Sequence, residues 1–306
     1  MKIYHKIFQL PKRIVFLLLL TTLSFLLAIN SLKAQFNPLN AQYFLNPYQI
    51  NPAYAGFTDG LNVNLNYRKQ WSNIPGSPST QSVTADYKVN RVGLGVNIYN
   101  EKAGSLLHTK AVASYAYHIT LNDKNQKLNF GVSVGITNES IDYSEINGDL
   151  TDLDLFQFNS RGALFDGDFG MAYTSDKLNI EAVVPNIRSS IQQDNNYYVD
   201  RSRFYAAASY KINTGMGSNS LEIEPKVVFR GIKGFKNIID VGSNFNFTDK
   251  VFMMAMYHTT ESASFGIGFN YKTSVAIMGF YSTETSALQT SANGIFEISL
   301  KATLFK

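Results

Sequence analysis

The chain has 306 residues and not one cysteine. A disulfide framework, a thiolate metal site and a cysteine nucleophile are therefore all excluded. Charge is sparse too: Asp, Glu, Lys and Arg make up only 16% of the residues. Beyond residue 34 no apolar run approaches the roughly 20 residues that a membrane-spanning helix needs, so a helical membrane bundle is excluded. Only His108, His118 and His258 remain in that part. No serine-nucleophile signature, phosphate-binding glycine loop or zinc motif accompanies them, and a serine hydrolase needs serine and histidine together. The expectation is a chain that is not an enzyme and holds no cofactor or metal.

What is present starts with the first 34 residues. Lys2, Lys6, Lys12 and Arg13 precede an apolar run over 14–29, which ends in Asn30-Ser31-Leu32-Lys33-Ala34. A basic start, an apolar middle and a small residue at the boundary predict a secretory signal peptide over 1–34, cut after Ala34. The apolar run is short for a membrane anchor. The formal net charge of +4 also owes much to this segment, because its five basic residues and no acidic one leave the rest near −1. That balance gives no reason to invoke a nucleic-acid partner.

The remaining composition is aromatic and rich in glycine, with 18 Tyr, 22 Phe and 21 Gly, as suits one large β architecture. From Gly60 onward the dominant period is two. Leu61, Val63, Leu65 and Tyr67 alternate with Asn62, Asn64, Asn66 and Arg68. Leu128, Phe130, Val132, Val134 and Ile136 alternate with Asn129, Gly131, Ser133, Gly135 and Thr137. Such alternation puts one face toward an apolar surround and the other toward polar groups.

Fourteen segments of this kind are read near 60–71, 79–89, 91–100, 108–121, 127–138, 164–174, 176–184, 202–212, 220–230, 237–247, 251–260, 264–271, 273–282 and 293–305. Each approaches the 9–11 residues of a tilted transmembrane strand. Their connections alternate between short (90, 122–126, 175, 213–219, 248–250, 272) and long (72–78, 101–107, 139–163, 185–201, 231–236, 261–263, 283–292). Tight turns at one end and longer loops at the other are the mark of an outer-membrane barrel with both termini periplasmic. A soluble sandwich would carry many Lys and Glu on its solvent face. Here Gly, Asn and Ser dominate that face instead, which fits a narrow or internally packed lumen. The fold expected is all-β: a transmembrane antiparallel barrel of about 14 strands over 60–306, with an extended N-terminal arm or plug over 35–59.

In the arm, each Asn-Pro removes a backbone donor and biases the preceding residue toward extended geometry, and Gly56 permits a sharp turn. The arm contains Gln42-Tyr43-Phe44-Leu45-Asn46-Pro47, then Ile50-Asn51-Pro52-Ala53-Tyr54-Ala55-Gly56. Tyr67-Arg68, Gln70-Trp71, Pro75-Gly76 with Pro78, Thr80-Gln81 and Val92-Gly93-Leu94-Gly95 follow. This set resembles the PorP/SprF family over essentially the whole exported part. The resemblance implies an outer-membrane protein of Bacteroidota tied to type IX secretion and gliding motility. Its implied partners, besides outer-membrane lipid, are a large secreted adhesin with a type B C-terminal domain or other type IX secretion components. A second role implied is a link from the outer membrane to the periplasmic ring and peptidoglycan.

The candidate plug or partner-binding residues are Asn46, Pro47, Asn51, Pro52, Ala53, Tyr54, Gly56, Arg68, Trp71, Gln81, Tyr197 and Tyr198. Trp71 also suits an interfacial aromatic girdle. The tyrosines suit a contact surface in the 185–201 connection. The connection over 139–163 is acidic, with Glu139, Asp142, Glu145, Asp149, Asp152 and Asp154, at spacings that do not match a calcium loop. A small-solute porin is the rival from another class, and it should line a wide lumen with charge.

Overall fold

The computed structural model describes residues 42–122, 125–146, 153–188, 202–214, 221–232, 236–247, 250–272, 274–283 and 293–305. The segment 1–34 with its expected cleavage point, the first residues of the arm, and Tyr197 and Tyr198 lie outside them. Among the described residues no helix is long and apolar enough to cross a membrane.

Strands β1 (Leu61–Gln70), β2 (Ser79–Val89), β3 (Val92–Ala103), β4 (Leu106–Thr120), β5 (Lys127–Ile141), β6 (Leu164–Thr174), β7 (Leu178–Val184) and β8 (Ser202–Tyr210) each pair antiparallel with the next. The order continues through β9 (Ile212–Thr214), β10 (Leu221–Ile232), β11 (Ile238–Asn246), β12 (Val251–His258), β13 (Ser262–Tyr271), β14 (Val275–Ser282) and β15 (Ile295–Leu304). β15 returns to β1 in a continuous register from Leu61↔Leu304 to Gln70↔Ile295. That pairing closes the barrel and removes both free edges. β8 and β9 both pair with β10 and are one strand interrupted at Lys211. The interruption falls opposite Pro225 and Glu224, where a proline offers the ladder no N–H. Fourteen transmembrane passes result, each within a few residues of the segments read from the alternation.

The outward face is apolar. Leu65, Leu94, Ile98, Val134, Ile136, Val241, Ile267 and Ile298 are all 43–56% exposed. In water a patch this extensive would drive association. Against hydrocarbon it is what a spanning wall requires, so the soluble alternative fails on the exterior alone.

Connections sort by end. At the end carrying Leu61 and Leu304 the turns are tight, with Asn90 and Lys272 in the left-handed region at φ 57° and 53°. At the opposite end β1, β5, β7 and β14 finish at Gln70, Ile141, Val184 and Ser282, each followed by a longer interval in sequence before the next strand. The rule that outer-membrane barrels turn tightly in the periplasm makes this second end extracellular.

Two connections expected to be long are short. β3 and β4 stay paired to Ala103↔Leu106, leaving a two-residue turn at Gly104 and Ser105 where 101–107 had read as a loop. Likewise the connection read at 261–263 is a tight turn at 259–261, between β12 and β13. Polar residues such as Glu101 and Lys102 resemble a loop, yet they also suit strand ends that leave the bilayer for water. β4 and β5, at 15 residues each, span roughly 50 Å at strand rise and project beyond the membrane.

Their tip is fastened by Asp142, whose carboxylate accepts from Ser144 N (3.1 Å), Ser144 Oγ (2.6 Å) and Lys102 Nζ (3.3 Å). These donors, the Ser144 hydroxyl foremost, hold its pKa below the usual carboxylate range. A depressed pKa stabilises the folded tip above the ordinary carboxylate value, and that stabilisation disappears as pH falls through the depressed one. Proteolysis of the 142–163 connection should therefore accelerate in strong acid and stay flat from pH 5 to 8. Asp142→Asn should show the acid rate at every pH.

Candidate functional site: the arm inside the barrel

The lumen is occupied by the chain's own N-terminal arm. Helix α1 (Gln42–Leu45) is followed by 3-10 turns at Pro47–Gln49 and Pro52–Tyr54. The arm is thus not extended throughout. The residues before each proline are non-helical, Asn51 being extended at φ −126°, ψ 111°. Each proline then starts a new short turn, a position that needs no backbone donor. Asn51 caps the second turn by accepting from Ala53 N at 3.0 Å.

From the periplasmic end upward, polar bonds tie this arm to most of the wall. Gly56 N donates to Asp86 Oδ2 (3.0 Å), and His118 Nε2 meets Ala55 O at 3.0 Å. Tyr54 OH donates to Asn179 Oδ1 (2.9 Å), and Asn51 Nδ2 donates to Glu181 Oε2 (3.2 Å). Tyr48 OH donates to Ser114 Oγ (3.0 Å), Asn46 Nδ2 to Thr84 Oγ1 (2.9 Å), and Gln42 Nε2 to Glu297 Oε1 (2.9 Å). Asn46, Asn51, Pro52, Ala53, Tyr54 and Gly56 are all buried, while Pro47 is half-buried.

Glycine on the inward face creates the room. Gly93, Gly131 and Gly170 point at Ala55 O, the Pro52 carbonyl group and Asn51 Oδ1, and a methyl group added at any of them would fall on those atoms. The period-two glycines are receiving surfaces for a backbone. Apolar packing completes the fit: Tyr43 and Leu45 join Val183, Tyr205, Val228, Met254 and Met278, while Tyr48, Ala53, Tyr54 and Ala55 join Ala116 and Ala172.

Tyr43 also reaches a charged cluster that sequence reasoning missed. Its hydroxyl donates to Asp240 Oδ2 at 2.6 Å, and Arg230 Nε donates to the same oxygen at 3.1 Å. Asp240 Oδ1 lies 2.7 Å from His258 Nδ1, whose Nε2 lies 2.8 Å from Ser264 Oγ. The order Asp–His–Ser has the hydrogen-bond logic of an acyl-transfer triad, yet all three residues are 0% exposed and Ser264 Oγ bonds onward to Ser282 Oγ at 2.8 Å. No carbonyl carbon can reach that oxygen. As built, the chain of bonds clamps the arm to β11–β14. A second buried pair, Lys226 Nζ to Glu181 Oε1 at 2.9 Å, stands beside it, and Lys226 Nζ also donates to Tyr43 O at 2.8 Å. Asp240 and His258 face each other across adjacent strands, a relation that becomes visible only once the register is known.

The other sequence candidates divide. Arg68 is buried in the lumen opposite Glu297 in register, close to the arm through Gln42. Trp71 follows β1 with φ 45° and donates its backbone N–H to Gly294 O at 2.9 Å. Gln81 is exposed on the outward face of β2, so a plug-contacting role for it is wrong. Alternation explains this, since Thr80, Ser82 and Thr84 take the inward positions.

A family model described as type IX secretion system membrane protein PorP/SprF matches residues 32–302. No curated protein matches. Solved structures that resemble the chain include the outer membrane protein Omp33 of Acinetobacter baumannii, at 8% identity over 81% of this chain and 100% of that one, with a TM-score of 0.48. Another is the CymD monoaromatic hydrocarbon channel, at 12% identity over 90% and 95%, with a TM-score of 0.49.

Proposed function

Since this chain belongs to the PorP/SprF family of type IX secretion system membrane proteins and is an integral outer-membrane barrel, we propose that it anchors a large cell-surface adhesin, or helps export one, through protein–protein contacts and without catalysis. In this reading residues 1–34 are removed on export, 35–59 form the plug and 60–306 the barrel. One observation carries the reading: residues 42–57 lie in the lumen and are bonded to strands around the wall. An arm bonded inside the lumen in this way favours contact surfaces over a passage.

The extracellular surface has suitable contact groups. Helix α2 (Leu153–Ser160) holds Phe158 buried, while Leu153 and Phe156 are 64% and 67% exposed. Exposed aromatic and aliphatic anchors of this kind favour protein interfaces.

A cross-linked pull-down of the tagged protein from its own outer membrane, read by mass spectrometry, tests the proposal. Recovery of a very large secreted protein through its C-terminal region is the expected result. Recovery of periplasmic ring or peptidoglycan-binding subunits alone would transfer the role to the core machine. An empty pull-down would remove the anchoring reading.

A further inference from the structure

We propose that the lipid-facing wall of β13, β14, β15 and β1 carries a specific site for one acyl chain of a phosphate-bearing lipid of the extracellular leaflet. A groove of about 570 Å³ opens on that wall. Its floor is Gly279, which points outward and whose added Cβ would meet no atom within 4 Å. Gly279 pairs with Ile267 on one side and Ile298 on the other, so two branched side chains stand as walls around a missing one.

One step nearer the extracellular end the same strands place Phe265, Tyr281 and Phe296 in a row, continued on β1 by Lys69. Tyr281 and Phe296 contact each other with ring centroids 5.2 Å apart. A row of aromatic rings marks the level where hydrocarbon meets headgroups.

The occupant follows from these two levels. Below the aromatic row the groove is walled by Ile267, Ile298 and the ring of Tyr67 around the bare backbone of Gly279, a surface that is almost wholly apolar, and it opens onto the bilayer, so an acyl chain fills it at little polar cost. At the row itself stands one cation. Lys69 Nζ donates to Ser77 O at 2.9 Å, and an ammonium has three donors. The remaining ones sit at the depth of a lipid phosphate, where a lysine near an anionic surface is stabilising. Gly279 has no positive φ, so backbone geometry does not demand a glycine there, and the space itself is what the residue provides.

The test uses the full-length barrel in mild detergent, titrated with phosphatidylglycerol and read by native mass spectrometry. One lipid per barrel should bind well before any others. Gly279→Leu, which fills the floor, should weaken that first event by about tenfold. Lys69→Gln should weaken phosphatidylglycerol but leave diacylglycerol unchanged. Heat-modifiable migration on gels verifies that each variant is folded, and Gly279→Ala serves as the milder change should Gly279→Leu fold poorly. Equal binding by wild type and the Gly279 variant, lipids adding with no distinct first event, or a tightly bound protein in place of lipid would each overturn the proposal.

Discussion

Replacing Gly93 or Gly131 with valine should turn a closed barrel into a conducting one. Both positions are inward-facing strand residues without positive φ, so the wall tolerates a β-branched residue, which strands favour. What cannot tolerate it is the arm, whose Ala55 carbonyl and Pro52–Ala53 peptide lie where the new side chain must go. A flexible side chain could be pushed aside at about 1–3 kcal/mol. A backbone held by Asp86 and His118, with the Tyr54 side chain fixed on Asn179, has no such freedom and must leave. The cross-strand ladder does not depend on the arm, so the barrel remains. In planar bilayers the wild type should show no resolvable current, whereas either valine variant should show stable open steps. A deletion of residues 42–57 should reproduce them more strongly. If the valine variants stay closed while folded, the arm is not what shuts the lumen and the filled-barrel argument for anchoring falls with it.

The second large effect is expected at Asp240. It is 0% exposed, yet it accepts from Tyr43 and Arg230 and bonds His258. Removing one member of a buried ionic cluster leaves the others desolvated and unpaired, which costs about 3–5 kcal/mol. Asp240→Leu should therefore lower the unfolding free energy of the refolded barrel, read from its urea titration, by that amount. Asp240→Asn should cost less, because an amide oxygen still accepts a hydrogen bond. The double variant Asp240→Leu with Arg230→Met should recover part of the loss, since neither charge then remains buried. Additive losses in the double variant would show that Arg230 and Asp240 do not act as a pair.

How much was legible beforehand varies by element. The alternation of Leu61–Arg68 and of Leu128–Thr137 reports a wall with two unlike sides, because side chains in a strand point to opposite faces whatever lies beyond. Fourteen passes, a closed antiparallel barrel and the tight-turn end follow from that local rule together with turn length. The resemblance carried by Asn51-Pro52-Ala53-Tyr54-Ala55-Gly56 pointed to the same family that the match over 32–302 establishes. Local rules misread the β3–β4 turn, since Glu101 and Lys102 look alike in a loop and in a strand end above the membrane. Gln81, offered through the resemblance as a plug or partner-binding candidate, is placed by parity on the outer face of β2.

Only the tertiary structure decided what fills the lumen. An inward glycine looks the same in sequence whether it faces water or Ala55 O, and the arm's bonds to Asp240 and Glu297 span 197 and 255 residues. The Asp240–His258–Ser264 relay likewise depends on the register of three strands. Periodicity is a property of neighbours along the chain and survives in the sequence. Contacts across a closed barrel depend on which strands meet and at what offset, and closure alone determines that.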